Sequence, residues 1–118
     1  MMIYTRVFTD DNGESHFEEV DVGLVEKGEI GKLSNKIGVK GLIFRETPPD
    51  YDFDYHNAPA RQFVVLLDGS IEIEVSSGEK KTFQAGEILL VEDTTGKGHK
   101  TKTLNNKVRK SLFITFDD

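Results

Sequence analysis

Short runs of alternating apolar and polar residues dominate the chain and predict β-strands along most of its length. Residues 71–75 alternate apolar with charged side chains, as expected for a strand with one face in water. Residues 99–104 alternate as well, which places Lys100 and Lys102 on the face opposite His99. The remaining predicted strands are residues 3–8, 16–22, 39–45, 61–67, 81–83, 88–91 and 111–116.

Turn-forming residues separate the predicted strands. Asp68-Gly69, between two of them, indicates a hairpin because glycine accepts the positive φ that tight turns require. Residues 25–38 are polar, contain three glycines and predict a loop or one helical turn. Short strands joined by such turns are typical of a β-sandwich or β-barrel. We therefore expect residues 1–118 to form a single all-β domain.

Two predicted strands lack the alternation. Residues 63–67 and 88–91 are apolar at every position, which indicates that both faces of each strand are buried. One explanation is a packed N-terminal segment over the outer face. The other is a subunit interface, and the two are compatible. We expect a homodimer.

Composition excludes several classes of partner and site. The net charge of −6 disfavours nucleic-acid binding, which needs a positive field to collect phosphates. The absence of cysteine excludes disulfides, thiolate metal sites and a cysteine nucleophile. No apolar run has the length of a signal peptide or a membrane span, so we expect a cytoplasmic protein that does not bind membranes.

Two segments, residues 56–69 and 86–99, combine glycine turns with histidine and amide side chains. The positions of interest are His56, Gln62, Gly69, Gly86 and His99. Their spacing resembles the two motifs of the cupin superfamily over about two thirds of the chain. The first motif runs Gly, five residues, His-x-His, three or four residues, Glu, six residues, Gly. The second runs Gly, five residues, Pro-x-Gly, two residues, His, three residues, Asn.

The resemblance implies a cupin-like jelly roll, a double-stranded β-barrel that often holds a metal. It also implies that His56 is the first histidine ligand and that His99 is the histidine of the second motif. Two of the four family ligands differ, because Ala58 replaces the second histidine and Gln62 replaces the glutamate. Small cupin-like proteins commonly dimerise through their sheets, which agrees with the expected homodimer.

The remaining ligands are a weak set for a metal. Two imidazoles suit zinc, copper, iron or nickel, but Gln62 offers only a neutral amide oxygen. We therefore expect no cofactor. The alternative is one divalent transition metal bound weakly by His56, His99 and Gln62. Candidates to complete such a site are His16 as a third imidazole, less favoured, and the carboxylates of Glu46, Asp54 and Glu92.

The same positions predict a ligand pocket. His56, Gln62 and His99 would supply its polar groups, and apolar walls are expected from Val64, Leu66 and Phe44. Lys97 either leans over the pocket as a counter-charge or faces water. Arg45 and Arg61 are expected on the surface. The side chain of Asp93 is expected to bond its own backbone at the lip of the barrel.

Three functions remain open on these grounds. The leading hypothesis is binding of a small molecule in the pocket. The resemblance also allows a metal-dependent enzyme, of oxygenase or isomerase type, that uses the same two histidines. The third is a non-catalytic regulatory or structural module, which predicts a filled barrel. General acid–base work by His56 or His99 is compatible with the first two.

The apolar runs generate the first testable prediction. Burial of an outer sheet face between two subunits should give a particle of about twice the 13.3 kDa chain mass. Multi-angle light scattering at micromolar concentration measures this mass directly. A monomer would mean that the chain covers those faces by itself.

Overall fold

The computed structural model describes residues 1–116, and it consists almost entirely of β-strands. Within this part of the chain, no helix has the length and apolar composition needed to cross a membrane. The strands are β1 Ile3–Thr9, β2 Ser15–Asp21, β3 Val25–Glu26, β4 Lys32–Leu33, β5 Gly41–Thr47, β6 Asp52–His56, β7 Gln62–Leu66, β8 Ser70–Val75, β9 Lys80–Gln84, β10 Ile88–Val91, β11 His99–Thr103 and β12 Arg109–Thr115.

The last eight strands form two facing four-stranded sheets. One sheet has the order β10-β7-β12-β5 and the other has the order β6-β11-β8-β9. Consecutive strands largely alternate between the two sheets, and β8 and β9 form a hairpin within one of them. This arrangement is the cupin-like jelly roll, and the predicted all-β fold class is confirmed. Strands β1 and β2 extend the first sheet beyond β10.

The hydrophobic core lies between the two sheets. Burial alternates along β7 and β8, so Val64 and Leu66 face inward from one sheet while Ile71, Ile73 and Val75 face inward from the other. The period of two that predicted these strands is therefore also the period that builds the core. Additional core residues are Val7, Ala58, Phe83, Leu89 and Val91.

The predicted strands agree with the observed ones to within about two residues at each end, but two regions were missed. Strand β6 was not predicted, because aspartate is rare in strands and β6 has aspartate at two of its five positions. Residues 25–38, predicted as a loop or a helical turn, contain a 3₁₀ turn at Gly28–Ile30 between the two-residue strands β3 and β4.

The apolar runs are partly explained within one chain. Strand β1 pairs in parallel with β10 as a further strand of the sheet. Tyr4 of β1 packs edge-to-face on Phe63, with 5.3 Å between ring centroids, and Phe116 contacts the same ring at 5.4 Å. Phe63 is thus covered on the outer face by both ends of the described chain. The homodimer stays a prediction.

A close backbone approach joins β11 to the end of β6. Gly98 has a φ of +76°, and a Cβ at this position would lie 2.1 Å from the carbonyl oxygen of His56. Only glycine fits, because a side chain would be strained by the positive φ and would collide with a backbone atom. Gly78 also has a positive φ, but a Cβ there would meet no atom within 4 Å.

These two glycines make a matched pair for mutation. Gly78→Ala should lower the free energy of unfolding by about 1–2 kcal/mol through backbone strain alone. Gly98→Ala adds the collision, and we expect a loss of about 3 kcal/mol or more. Urea unfolding followed by circular dichroism measures both. Equal losses would contradict the close approach.

Candidate functional site

A cavity of about 260 Å³ opens between the two sheets, near the end of the barrel where His56 and His99 lie. Its walls are mainly apolar, and its polar groups are few. Such a composition is typical of small-molecule sites, although this volume lies just below their usual range. The aliphatic wall consists of Val64, Ile71, Ile73, Leu89 and Val91, and the aromatic wall consists of Tyr51, Phe53 and Phe113.

His56 and His99 line this cavity together. They are direct partners in the antiparallel pairing of β6 with β11. Their ring centroids lie 4.7 Å apart, and His99 is buried with 5% of its surface exposed. The structure therefore brings together the two histidines that the motifs singled out, on neighbouring strands and on the same side of the sheet.

A buried carboxylate holds the ring of His99. Asp93 Oδ2 lies 2.5 Å from His99 Nδ1, and Asp93 is fully buried. Because an ionised carboxylate only accepts hydrogen bonds, Nδ1 carries the proton and donates it. Nε2 of His99 is then the nitrogen that can accept a proton or bind a ligand.

The prediction that the side chain of Asp93 bonds its own backbone was therefore wrong. The carboxylate reaches along the loop to His99, and the backbone carbonyl of Asp93 accepts a hydrogen bond from the N–H of Ala58 at 3.1 Å. A contact across a six-residue loop has no periodic signal in the sequence. The available hint was an aspartate shortly before the motif histidine.

A backbone carbonyl orients the second imidazole. His56 Nδ1 lies 2.9 Å from the carbonyl oxygen of Asp54, and a carbonyl can only accept. His56 Nδ1 is therefore also a donor, which leaves its Nε2 for the cavity. The ring of Phe53 packs against His56 with centroids 4.3 Å apart.

Gln62 is the third predicted polar group, and it also lines the cavity. It begins β7 opposite Val91 and is 4% exposed. His56, Ala58 and Gln62 share the same parity along the chain, so a single continuous strand would direct all three to one face. In the structure, the chain turns between β6 and β7, so His56 and Gln62 belong to different sheets and Ala58 lies in the connection between them. All three nevertheless line the same cavity.

Of the three residues predicted as apolar walls, Val64 lines the cavity and the other two do not. Leu66 faces inward as expected, but it is fully buried between the sheets and does not line the cavity. Phe44 is 77% exposed on the outer face of β5. Strand alternation explains the error, because Arg45 takes the inward position.

Of the basic residues considered from the sequence, Arg45 lines the cavity and Lys97 does not. Lys97 forms an ion pair with Glu14 and does not line the cavity. Arg45, expected on the surface, lines the cavity, with its guanidinium carbon 5.2 Å from the ring centroid of Tyr51. Arg61 lies outside the cavity as expected, and it pairs with Glu92 at 2.6 Å.

The proposed additional metal ligands lie elsewhere. His16 Nε2 pairs with Asp10 at 2.6 Å, and Glu92 binds Arg6 and Arg61. Burial alone would raise the pKa of Glu92, but the hydrogen bonds from the two arginines outweigh it and hold that pKa below its usual value. The other two carboxylates, those of Glu46 and Asp54, belong to exposed residues and do not line the cavity.

The sequence interpretation missed the second arginine of the cavity. Arg109, the first residue of β12, lines the cavity and is 3% exposed. Burial lowers the pKa of Arg109, and the nearby charge of Arg45 lowers it further. The predicted strand began at residue 111 and so excluded Arg109. In the observed strand Arg109 and Phe113 are an even number of residues apart, and both side chains line the cavity.

These side chains do not fit a divalent metal. Among the described residues, two imidazoles, one amide and the hydroxyl of Thr101 line the cavity together with two guanidinium groups, and no Asp or Glu lines it. Within residues 1–116 no group of three or more His, Cys, Asp or Glu side chains is arranged to hold a metal ion. A bound dication would lack charge compensation and would be repelled by the arginines.

Comparison with known proteins supports the fold alone. No protein-family model matches the chain, and no curated protein matches it. Protein NMB1881 from Neisseria meningitidis is 18% identical over 67% of this chain and 78% of its own, with a TM-score of 0.51.

Two further solved structures have TM-scores below 0.5 and carry no argument. The SPY1581 protein of unknown function from Streptococcus pyogenes is 13% identical over 70% of this chain and 69% of its own, with a TM-score of 0.48. The Salmonella typhimurium protein assigned as ethanolamine utilization protein Q is 15% identical over 98% of this chain and 96% of its own, with a TM-score of 0.40.

The composition of the site generates a metal-binding prediction. We expect the protein to purify largely without metal and to keep its melting temperature in chelator, because the cavity lacks an anionic ligand. The double variant Ala58→His with Gln62→Glu restores the family ligand set and should bind added zinc markedly more tightly. Elemental analysis and calorimetric titration measure these outcomes.

A surface variant controls for the added side chains. Ala85→His with Gln84→Glu introduces the same two groups at exposed positions and should leave zinc affinity unchanged. Near-stoichiometric metal in the untreated protein, removed by His56→Ala or His99→Ala, would contradict the prediction.

Proposed function

We propose that this protein binds a small organic molecule in the cavity between its two sheets. The observation that carries the proposal is the set of buried polar groups in an otherwise apolar chamber. Gln62 and His99 are 4% and 5% exposed, and both line the cavity. Groups of this kind fix the orientation of a ligand, while the apolar walls supply most of its contact area.

Each polar side chain of the cavity offers a ligand a defined set of hydrogen-bond donors and acceptors. Gln62 offers an amide that both donates and accepts hydrogen bonds. His99 and His56 offer Nε2 atoms, because Asp93 and the Asp54 carbonyl already bind their Nδ1 atoms. These partners fix the two rings before a ligand arrives, which reduces the entropy lost on binding.

Acid–base catalysis on the bound molecule is a second candidate function. The hydrogen bond between Asp93 and His99 favours it, since a buried carboxylate orients an imidazole and stabilises the imidazolium. In this role, His99 Nε2 accepts a proton from the ligand. Small-molecule binding is common to both candidates and is the more general proposal.

The other two hypotheses receive less support. The metal-dependent enzyme needs an anionic ligand, and within residues 1–116 the cavity is lined by two arginines and by no carboxylate. The regulatory or structural module predicts a filled barrel, and the cavity of about 260 Å³ argues against it.

A cavity-filling variant tests the proposed function. Ala58 lines the cavity and is 5% exposed, so Ala58→Leu adds a branched side chain inside the chamber. A library of small organic fragments should shift the imidazole resonances of His56 and His99 in nuclear magnetic resonance spectra of the unmodified protein. The variant should abolish these shifts and keep the overall spectrum.

Ala85→Leu is the matched control, because Ala85 is exposed and lies outside the cavity. It should bind the same fragments as the unmodified protein. If no fragment shifts the two imidazoles, or if Ala58→Leu binds fragments as before, the cavity is not the binding site.

A further inference from the structure

The two cavity arginines belong to one block of polar residues on β5 and β12. In the antiparallel register of these strands, Arg45 lies opposite Ser111 and Thr47 lies opposite Arg109. Thr47 and Ser111 are buried, with 0% and 1% of their surfaces exposed. Four residues that usually need hydrogen-bond partners thus lie together inside the barrel.

Several side-chain atoms of this block have no hydrogen-bond partner among the described residues. Within residues 1–116, Nε and Nη2 of Arg109 and the hydroxyl oxygens of Thr47 and Ser111 are buried without a hydrogen-bond partner. They account for four of the six such side-chain atoms among the described residues. Unpaired buried polar atoms are rare in native structures, so a concentration of them indicates a missing partner.

Nearby groups do not supply that partner. The ring centroid of Tyr51 lies 5.2 Å from the guanidinium carbon of Arg45 and 5.7 Å from that of Arg109, so the ring attracts both cations. The negative charge of Asp68 attracts Arg109 from a distance, but the two side chains do not form an ion pair. Asp68 Oδ1 accepts the backbone N–H of Lys110. A buried cation without an anion costs stability unless a ligand compensates it.

We propose that Arg45 and Arg109 bind the carboxylate or phosphate group of a small, largely apolar molecule. This inference rests on the proposed function, because it assigns the chemical class of the ligand in the same cavity. A guanidinium presents its N–H donors in a planar fork that matches the oxygens of either anion. Tyr51, Phe53 and Phe113 supply aromatic walls for the rest of the molecule.

The strand register separates the anion site from the imidazole site. Gln62 pairs with Thr115, the last residue of β12, whereas Arg109 is the first residue of that strand. Gln62 and Arg109 therefore lie toward opposite ends of β12. Tyr51, which lies beside both guanidinium groups, directly precedes β6, whereas His56 is the last residue of that strand. The ligand accordingly has an anionic group at one end and a hydrogen-bonding group toward the other.

Calorimetric titration with small aromatic probes tests the charge requirement. Benzoate and benzamide have nearly the same shape, but only benzoate is an anion. We expect the unmodified protein to bind benzoate about tenfold or more tightly than benzamide. Phenyl phosphate compared with benzoate identifies which anion is preferred, and inorganic phosphate measures the contribution of the anion without an apolar body.

Variants then locate the charge. Arg109→Met and Arg45→Met keep most of the side-chain volume and remove the guanidinium, and each should weaken benzoate binding about tenfold or more. Arg6→Met removes the same charge outside the cavity, where Arg6 pairs with Glu18 and Glu92, and should leave the affinity unchanged.

The melting temperature of the ligand-free protein gives a second measurement. Arg109→Met should melt at the same temperature as the unmodified protein or higher, because it removes a buried cation without a partner. A fall as large as that of the ion-paired Arg6→Met would mean that Arg109 is held by the fold itself, which would overturn the inference.

The titrations separate failure of this inference from failure of the proposed function. If benzamide binds as tightly as benzoate, and Ala58→Leu removes both, the cavity binds neutral molecules and the anion inference is wrong. If no probe binds in a way that Ala58→Leu removes, the proposed function fails and the inference fails with it. Benzoate binding unaffected by Arg109→Met and Arg45→Met would also overturn the inference.

Discussion

The constraint on which this structure depends is that each strand of a closed double sheet directs alternate side chains inward. Those side chains must pack against the opposite sheet or line a cavity. Along β7 and β8 they pack, and Leu66 and Val75 have no exposed surface. Along β5 and β12 the inward positions carry Arg45, Thr47, Arg109 and Ser111, which cannot fill an apolar core. Aliphatic side chains therefore fill one region of the barrel interior, and in another region a cavity lies beside polar side chains.

The polar groups of the cavity differ in how the protein holds them. His99 is fixed by a fully buried carboxylate, and His56 is fixed by a backbone carbonyl at 2.9 Å. Arg109 has two buried nitrogens without a hydrogen-bond partner among the described residues. The imidazoles are thus oriented by the fold before a ligand arrives. Within residues 1–116 the Arg109 guanidinium forms no ion pair, and such a cost is typical of residues kept for binding rather than for stability.

The cavity differs in its electrostatics from the metal site that the motif resemblance implies. In a metal-binding cupin, the imidazoles and a carboxylate surround a dication. Here Ala58 and Gln62 remove one imidazole and the anion, and two arginines line the same chamber. The expected preference therefore shifts from a cation toward an anion. The fold is compatible with either outcome, because the jelly roll determines only which positions face inward.

The sequence by itself determined the fold class, most strand positions and the two motif histidines, because periodicity and turn residues are local properties. It also predicted Gln62 and Val64 as pocket residues from the spacing of a motif, and the structure places both in the lining of the cavity. Only the tertiary structure decided that Arg45 and Arg109 share the cavity with these residues and that Asp93 binds His99. It also showed that Phe44 is exposed on the outer face of β5 and that Leu66 is buried behind the cavity. These facts depend on strand pairing and on loops that bring distant residues together, and neither has a periodic signature along the chain.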